Sequence, residues 1–143
     1  MPIPDFRDDG YLPMGIYLAT EAEVAERFGR GSFQRAKLMD RLSVWLGQAR
    51  AVKAVRFLVD GSFVASKPDP NDVDCAVWVP KDFDLQYQWG KIEAVRLYQA
   101  DAFGQPEEIY LLSTADEWSN WTWYFGQIRD DPVRRKGIIE VTL

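Results

Sequence analysis

The sequence contains no histidine and a single cysteine, Cys75, among its 143 residues. Without histidine there can be no Ser-His-Asp triad, no Cys-His dyad and no imidazole ligand for zinc. A single cysteine excludes an internal disulfide and is typical of a protein from a reducing cytoplasm. Any catalysis must therefore depend on carboxylates, lysine, arginine, hydroxyl groups or a hard metal ion held by oxygen atoms.

Long apolar runs and an excess of basic residues are also missing. No run approaches the roughly 18 residues that cross a bilayer, and the start, MPIPDFRDDG, lacks the basic and apolar parts of a signal peptide. The 17 Lys and Arg residues against 22 Asp and Glu residues give a formal net charge of −5. This charge argues against a protein that coats nucleic acid by bulk electrostatics. We therefore expect a cytoplasmic protein with no membrane partner.

The composition, 47% hydrophobic and 14% aromatic, predicts one folded domain over residues 1–143. Residues 1–19, with three prolines and two glycines, predict an extended N-terminal segment. Capping residues and helical spacing predict helices that begin after Thr20, Ser32, Asp82 and Thr114. These helices are predicted over about 21–28, 33–49, 83–97 and 115–125.

Apolar segments rich in β-branched residues predict strands over 55–60, 74–80, 108–112 and 137–143. Helices and strands thus alternate along most of the chain. This order predicts an α/β (or α+β) fold, with a small mixed sheet flanked by helices.

The connection between the first two predicted strands carries the residues best suited to chemistry, in the segment FLVDGSFVASKPDPNDVDCAVWVP. Asp72 and Asp74 are expected on one face of a strand, where both carboxylates can converge on a hard cation. Gly61 allows a phosphate to approach the backbone closely, and Ser62 adds a hydroxyl donor. A helical turn that starts at Ser62 would direct free N–H groups at the same anion. Lys67 either contacts phosphate or lies in solvent.

The segment GSFVASKPDPNDVD resembles the signature of the nucleotidyltransferase superfamily, the DNA polymerase β-like fold: Gly-Ser, a spacer, then Asp-x-Asp on a strand. The flanking segments YLPMGIYLATEAEVAERFG and RRKGIIEV are similar to those of an uncharacterised small bacterial family in it. The resemblance implies Mg2+-dependent transfer of a nucleotidyl group from a nucleoside triphosphate to a hydroxyl or a phosphate. It implies catalysis and metal binding by three carboxylates, two of them Asp72 and Asp74. Gly61, Ser62 and Lys67 would then bind the nucleotide.

In the superfamily the third carboxylate lies on a later strand beside the first two, and EEIYLL is the matching segment here. Glu108 is therefore the predicted third catalytic and metal-binding acid, with Glu107 and Asp101 as alternatives. A glutamate departs from the more usual aspartate, and its extra methylene must be accommodated. The other interpretation of Glu108 is a surface acid at the start of a strand.

Two other patterns each allow two interpretations. The basic run Arg-Arg-Lys at 134–136 either contacts the triphosphate or an RNA acceptor, or forms a solvated connection. The spacing of Trp118, Trp121 and Phe125 on one helix predicts core contacts, with a stacking platform or partner surface as the alternative. Cys75 is predicted to be a small buried residue.

Three functions are compatible with these patterns. The leading one is a magnesium-dependent nucleotidyltransferase that acts on a protein, RNA or small-molecule hydroxyl. The alternative is a non-catalytic or degenerate member of the fold, an antitoxin or interaction module in a toxin–antitoxin or defence system. The short chain favours this alternative because it leaves little room for an acceptor-binding domain. A metal-dependent nuclease would explain the acids but leaves Gly61 and Ser62 without a role.

Overall fold

The computed structural model describes residues 3–105 and 107–143. In these residues the order of strands and helices is β1 (Gly15–Ala19), α1 (Glu21–Phe28), α2 (Phe33–Ala51), β2 (Arg56–Asp60), β3 (Asp74–Trp78), α3 (Phe83–Gln88), α4 (Ile92–Phe103), β4 (Glu108–Leu112), α5 (Ala115–Phe125), β5 (Gln127–Ile128), β6 (Asp131–Arg135) and β7 (Gly137–Val141). A short 3₁₀ turn, Ser62–Val64, follows β2. The mixed α/β class predicted from the sequence is confirmed.

Five strands form one mixed sheet in the order β1-β7-β2-β3-β4, and β5 and β6 form a separate hairpin. Strand β1 runs parallel to β7 and β3 parallel to β4, whereas β2 is antiparallel to both of its neighbours. The C-terminal end of β2 therefore lies beside the N-terminal ends of β3 and β4. Residues at these three strand ends meet at one end of the sheet.

Three of the four predicted capping residues cap their helices with side-chain hydrogen bonds; the fourth, Asp82, precedes α3 without such a bond. Thr20 accepts a hydrogen bond from the Glu23 N–H at 3.1 Å, and Glu23 accepts one from the Thr20 N–H at 3.0 Å, which completes a capping box. Ser32 and Thr114 each accept a bond at 3.1 Å from the backbone N–H three residues further on. Within residues 3–105 and 107–143, no helix combines the length and hydropathy that a membrane span requires.

Both faces of the sheet are covered, but by different numbers of helices. Helices α1, α2 and α4 pack on one face, and the strand residues buried there include Phe57, Val59, Cys75 and Val77. Helix α5 covers the other face, where Trp118 and Phe125 pack on the alternate strand residues Leu58, Ala76, Leu112 and Ile138. The predictions that Cys75 is buried and that Trp118 and Phe125 contribute to the core are confirmed. Trp121, predicted with them, is partly buried and packs against the edge of this cluster.

The structure differs from the sequence prediction or adds to it at three places. The single helix predicted over 83–97 is two helices, because Gly90 has a φ of +78°, which a right-handed helix does not accommodate. The N-terminal segment predicted as extended over 1–19 contains β1, which pairs along all five residues with β7. The hairpin of β5 and β6 is not predicted from the sequence, because β5 has only two residues and Pro132 lies within β6.

Candidate functional site

Three acidic side chains lie side by side at one end of the sheet. Asp60 is paired in register with Asp74, and Asp74 with Glu108. Side chains alternate between the two faces of a strand, and the residues on the same face as these acids pack beneath α5: Leu58, Ala76 and Leu112. The structure therefore brings the predicted Asp74 and Glu108 together on one face and adds Asp60 as a third member. These three residues are called the acid row below.

Asp72 lies just before β3, at the end of the connection that is called the arm here (residues 63–73). Ser62 donates to the Asp72 carboxylate through its backbone N–H at 2.9 Å and its hydroxyl at 2.6 Å. The Ser62 oxygen also accepts the Asn71 N–H at 3.0 Å. The donors of Ser62 that the sequence predicts for phosphate therefore hold Asp72 in this structure, and the helical turn at Ser62 has only three residues.

Gly61 lies at the closest approach between the end of β2 and the returning arm. Its φ is +95°, a conformation that favours glycine. A Cβ atom at this position would lie 2.9 Å from the Asp72 carbonyl oxygen and 3.2 Å from the Asp74 nitrogen. Any larger residue would therefore push the two aspartates away from β2.

The arm is held from beneath by Arg35, which is only 7% exposed. Its guanidinium donates at 2.5 to 3.1 Å to four backbone carbonyl oxygens, those of Phe28, Phe63, Ala65 and Lys67. Arg35 thus replaces the hydrogen bonds that the irregular arm cannot make with itself. The Lys67 side chain is exposed and lines the cavity next to Ser62.

Asp60 is the buried member of the acid row, at 7% exposure. Lys136, the last residue before β7, forms an ion pair with it at 2.9 Å. Burial raises the pKa of Asp60 to about 6, although Lys136 opposes the shift. Asp60 is therefore a carboxylate with a built-in counterion.

Asp74, in the middle of the row, takes part in no ion pair found within the described residues. Burial, and then the negative charges of Asp72, Glu108 and Asp60, raise its pKa to about 7. Its Oδ1 atom is buried and has no hydrogen-bond partner among the described residues. An unpartnered oxygen surrounded by acids is an environment that favours a cation.

Glu108 is the exposed end of the row, and it accepts a hydrogen bond from the Tyr110 hydroxyl at 2.8 Å. Burial, and then this bond to Glu108, raise the pKa of Tyr110. The two alternative acids lie elsewhere. Glu107 faces the helices and is 7% exposed, and Asp101 is an exposed residue of α4.

The acid row separates two cavities of one cleft. The first, called the arm cavity, has a volume of about 470 Å³ and is lined by Gly61, Ser62, Lys67 and Asp72. The second, called the hairpin cavity, has a volume of about 760 Å³ and lies between α5, Glu108 and the β5–β6 hairpin. Five residues line both cavities: Tyr11, Asp60, Asp74, Arg129 and Lys136. Glu108 and Ser62 thus lie on opposite sides of Asp74 in the cleft.

The four acids fit a hard cation such as magnesium by donor type, but three of them are held by a neighbouring side chain. Within residues 3–105 and 107–143, no three acidic or cysteine side chains form a ready metal-binding group. In this arrangement Asp72 is bound by Ser62, Asp60 by Lys136 and Glu108 by Tyr110. Buried carboxylate oxygens of Asp60 and Asp74 both lack a hydrogen-bond partner in the described residues, but Asp60 has the Lys136 ion pair and Asp74 has no ion pair there. Metal binding would therefore require Asp72 and Glu108 to turn towards Asp74.

Fold and site together define a mixed α/β protein with an acidic cleft at one end of its sheet. The chain belongs to DUF6932, a family of unknown function, whose family model matches residues 4–142. No curated protein and no solved structure matches the chain. The cleft geometry must therefore support any functional proposal.

Asp60, Tyr110 and Arg129 are among the cleft residues that are not predicted from the sequence. Asp60 could have been found from the sequence, because a charged residue at the end of the apolar segment FLVD, directly before Gly61, is a local signal. Tyr110 and Arg129 carry no comparable signal. Their positions depend on the pairing of β4 with β3 and on the hairpin turn.

Proposed function

We propose that the cleft binds a magnesium–nucleoside triphosphate and that the protein is a nucleotidyltransferase. The observation that carries this proposal is the acid row, which begins directly beside the Gly61–Ser62 turn. Asp72, Asp74 and Glu108 would hold magnesium, which prefers carboxylate oxygens. Gly61, Ser62 and Lys67 would contact phosphate in the arm cavity. If Asp72 turned from Ser62 to hold the metal, the N–H and hydroxyl of Ser62 would become free for the phosphate.

The transfer itself is a displacement at the α-phosphorus. The acceptor hydroxyl oxygen forms a bond to this phosphorus, the bond to the bridging oxygen breaks, and pyrophosphate leaves. The hydroxyl proton passes to a carboxylate of the cleft or to water, because the chain has no histidine. Bound magnesium would neutralise charge on the phosphate oxygens. Arg129 and Lys136, which line both cavities, would stabilise the same charge.

Calorimetric titration with each of the four ribonucleoside triphosphates, with and without magnesium, tests the proposal. We expect binding that requires magnesium and that Asp74→Asn weakens at least tenfold. Asp40→Asn, an exposed aspartate on α2, is the matched control and should leave the affinity unchanged. Absence of magnesium-dependent binding for all four nucleotides would overturn the proposed activity.

One observation favours a second candidate function, an antitoxin or interaction module with a degenerate site. The donors of Ser62 are already taken by Asp72, and no ready metal group is formed in the described residues. In such a protein the arm would only support the fold. Ser62→Ala would then lower the melting temperature without any nucleotide-dependent effect, whereas the enzyme would also lose nucleotide affinity.

A further inference from the structure

The basic side chains around the hairpin cavity have different partners. Arg134 forms ion pairs with Asp9 and Asp131 at 2.8 and 2.7 Å. Arg135 donates to the Trp123 carbonyl oxygen at 2.5 Å. With Lys136 held by Asp60, the whole basic run at 134–136 fixes the hairpin to the rest of the molecule. These cations position the wall of the cavity.

Arg129 is different because it takes part in none of the ion pairs found within residues 3–105 and 107–143. It occupies the two-residue turn of the hairpin with Asp130, whose φ is +65°. It is exposed and lines both cavities. The hairpin therefore presents one guanidinium at the boundary between the two cavities, and guanidinium groups bind phosphate oxygens in a bidentate manner.

Aromatic rings from β4 and α5 form the opposite wall of the hairpin cavity. Tyr110 stacks on Trp121 with ring centroids 4.3 Å apart, and Trp121 packs edge-on against Tyr124 at 5.5 Å. This packing fixes Tyr124 on its inner edge. Nevertheless Tyr124 and its neighbour Trp123 are 57% and 60% exposed, and both line the cavity. Trp123 is held differently, by the Arg135 guanidinium, which lies 5.3 Å from its ring centroid. Each ring thus has a protein contact on one side and a large exposed surface that a ligand can reach.

We infer that the hairpin cavity binds a nucleotide, with the base stacked on Trp123 and Tyr124 and a phosphate at Arg129. Aromatic rings beside an arginine suit this ligand, because every base has a flat face and every nucleotide an anionic group. The base can come from the triphosphate itself or from the terminal nucleotide of an RNA acceptor. The inference deepens the proposed function and depends on it only in taking the ligand to be a nucleotide.

Three probes separate the two sources: ATP, inorganic tripolyphosphate and the trinucleotide ApApA with a free 3′-hydroxyl, each titrated with magnesium present. The variants are the double substitution Trp123→Ala with Tyr124→Ala, and Arg129→Gln. Trp89→Ala and Arg30→Gln are the matched controls, since Trp89 is 77% exposed at the end of α3 and Arg30 is exposed beside Glu26. Melting temperatures verify that each variant is folded.

If the base of the triphosphate occupies the cavity, the double variant should lower the affinity for ATP about tenfold and leave the affinity for tripolyphosphate unchanged. If the end of an RNA occupies the cavity, the double variant should bind ApApA about tenfold more weakly, with its affinity for ATP unchanged. In both cases Arg129→Gln should weaken the same nucleotide, and the controls should not. Affinities of ATP and ApApA that stay within about twofold in the variants would overturn the inference, as would a wild-type protein that binds neither.

The proposed function and this inference can fail separately. Magnesium-dependent ATP binding that is sensitive to Asp74→Asn but not to the hairpin variants would keep the function and remove the nucleotide from the hairpin cavity. Binding of ApApA that depends on Trp123 and Tyr124, without any magnesium-dependent ATP binding, would keep the cavity assignment and remove the proposed activity.

Discussion

Glu107 and Glu108 are neighbours in the chain but lie on opposite faces of the sheet. Glu107 faces the helical layer, where it is buried, accepts the Trp45 indole N–H at 2.6 Å and forms an ion pair with Arg41. Glu108 is exposed in the cleft beside Asp74, and its partner is the Tyr110 hydroxyl. The acid on the helical side is satisfied by side chains of α2, whereas the acid on the cleft side belongs to a row of like charges.

This difference separates acids that hold the fold together from acids that are available to a ligand. A buried carboxylate with a cation and a hydrogen-bond donor is stable where it is, and removing it leaves its partners unpaired. Acids gathered without enough counterions repel one another, and such arrangements are concentrated at functional sites. Substitutions on the two sides of the sheet should therefore have different effects on stability and on ligand binding.

The largest expected effect is on the helical side, for Glu107→Ala. This change leaves the buried Trp45 N–H without an acceptor and Arg41 without its partner, so we expect a loss of about 2–4 kcal/mol in the free energy of unfolding. Urea denaturation followed by circular dichroism measures it. Glu108→Ala is the matched control, with an expected change below about 0.5 kcal/mol. Equal losses for the two variants would show that the two acids do not differ in structural role.

A smaller effect is expected for Lys136→Met, which removes the counterion of the buried Asp60. Because the pKa of Asp60 is about 6, its carboxyl group is mostly neutral at pH 5 and ionised at pH 8. We expect the variant to lose about 2 kcal/mol of stability at pH 8 and clearly less at pH 5. Lys37→Met, on the exposed surface of α2, is the control. A loss that is independent of pH would mean that Lys136 acts through packing alone.

The pH dependence of the wild-type protein should show the uncompensated charge of the cleft. The pKa values of Asp60 and Asp74 are raised to about 6 and about 7, above those of the unfolded chain. At pH 5 both groups are protonated in the folded state and ionised in the unfolded state, so stability should fall as the pH rises from 5 to 8. Asp74→Asn should reduce this fall by about 1–2 kcal/mol, a value that allows for solvent screening of a partly exposed group.

Denaturant titrations at pH 5 and pH 8 measure this fall in the wild-type protein, in Asp74→Asn and in the control Asp40→Asn. The control should keep the full wild-type dependence, because Asp40 is exposed on α2. A wild-type stability that rises over this range would contradict the raised pKa values of the cleft.

The sequence is sufficient to predict the elements whose signals are local. The capping residues Thr20, Ser32 and Thr114 define three helix starts. Apolar segments rich in β-branched residues define the strands β2, β3, β4 and β7. Asp74 and Glu108 also carry a local signal, because each begins an apolar strand. These features depend on a few adjacent residues, which is why they could be predicted.

What the sequence does not predict depends on partners that are distant along the chain. Strand β1 forms because β7, more than 100 residues later, offers it a free edge, and nothing in GIYLA indicates that partner. The role of Lys136 depends on its ion pair with Asp60. The hydrogen bonds from Ser62 to Asp72 depend on the path of the arm, whose backbone carbonyl oxygens are bound by Arg35. Such contacts are set by tertiary structure, which overrides local propensity.

The smallest effect on stability, and the sharpest on function, is expected for Glu108→Gln. The amide oxygen can still accept the Tyr110 hydroxyl, and the side chain is exposed, so the free energy of unfolding should change by less than about 0.5 kcal/mol. If Glu108 is the third metal-binding acid, the magnesium-dependent affinity for both ATP and tripolyphosphate should fall at least tenfold, because a neutral amide binds magnesium more weakly than a carboxylate. Glu26→Gln, an exposed glutamate on α1, should change neither quantity. An unchanged affinity for both ligands would leave Asp72 and Asp74 as the metal-binding acids and would reduce Glu108 to a surface residue at the start of β4.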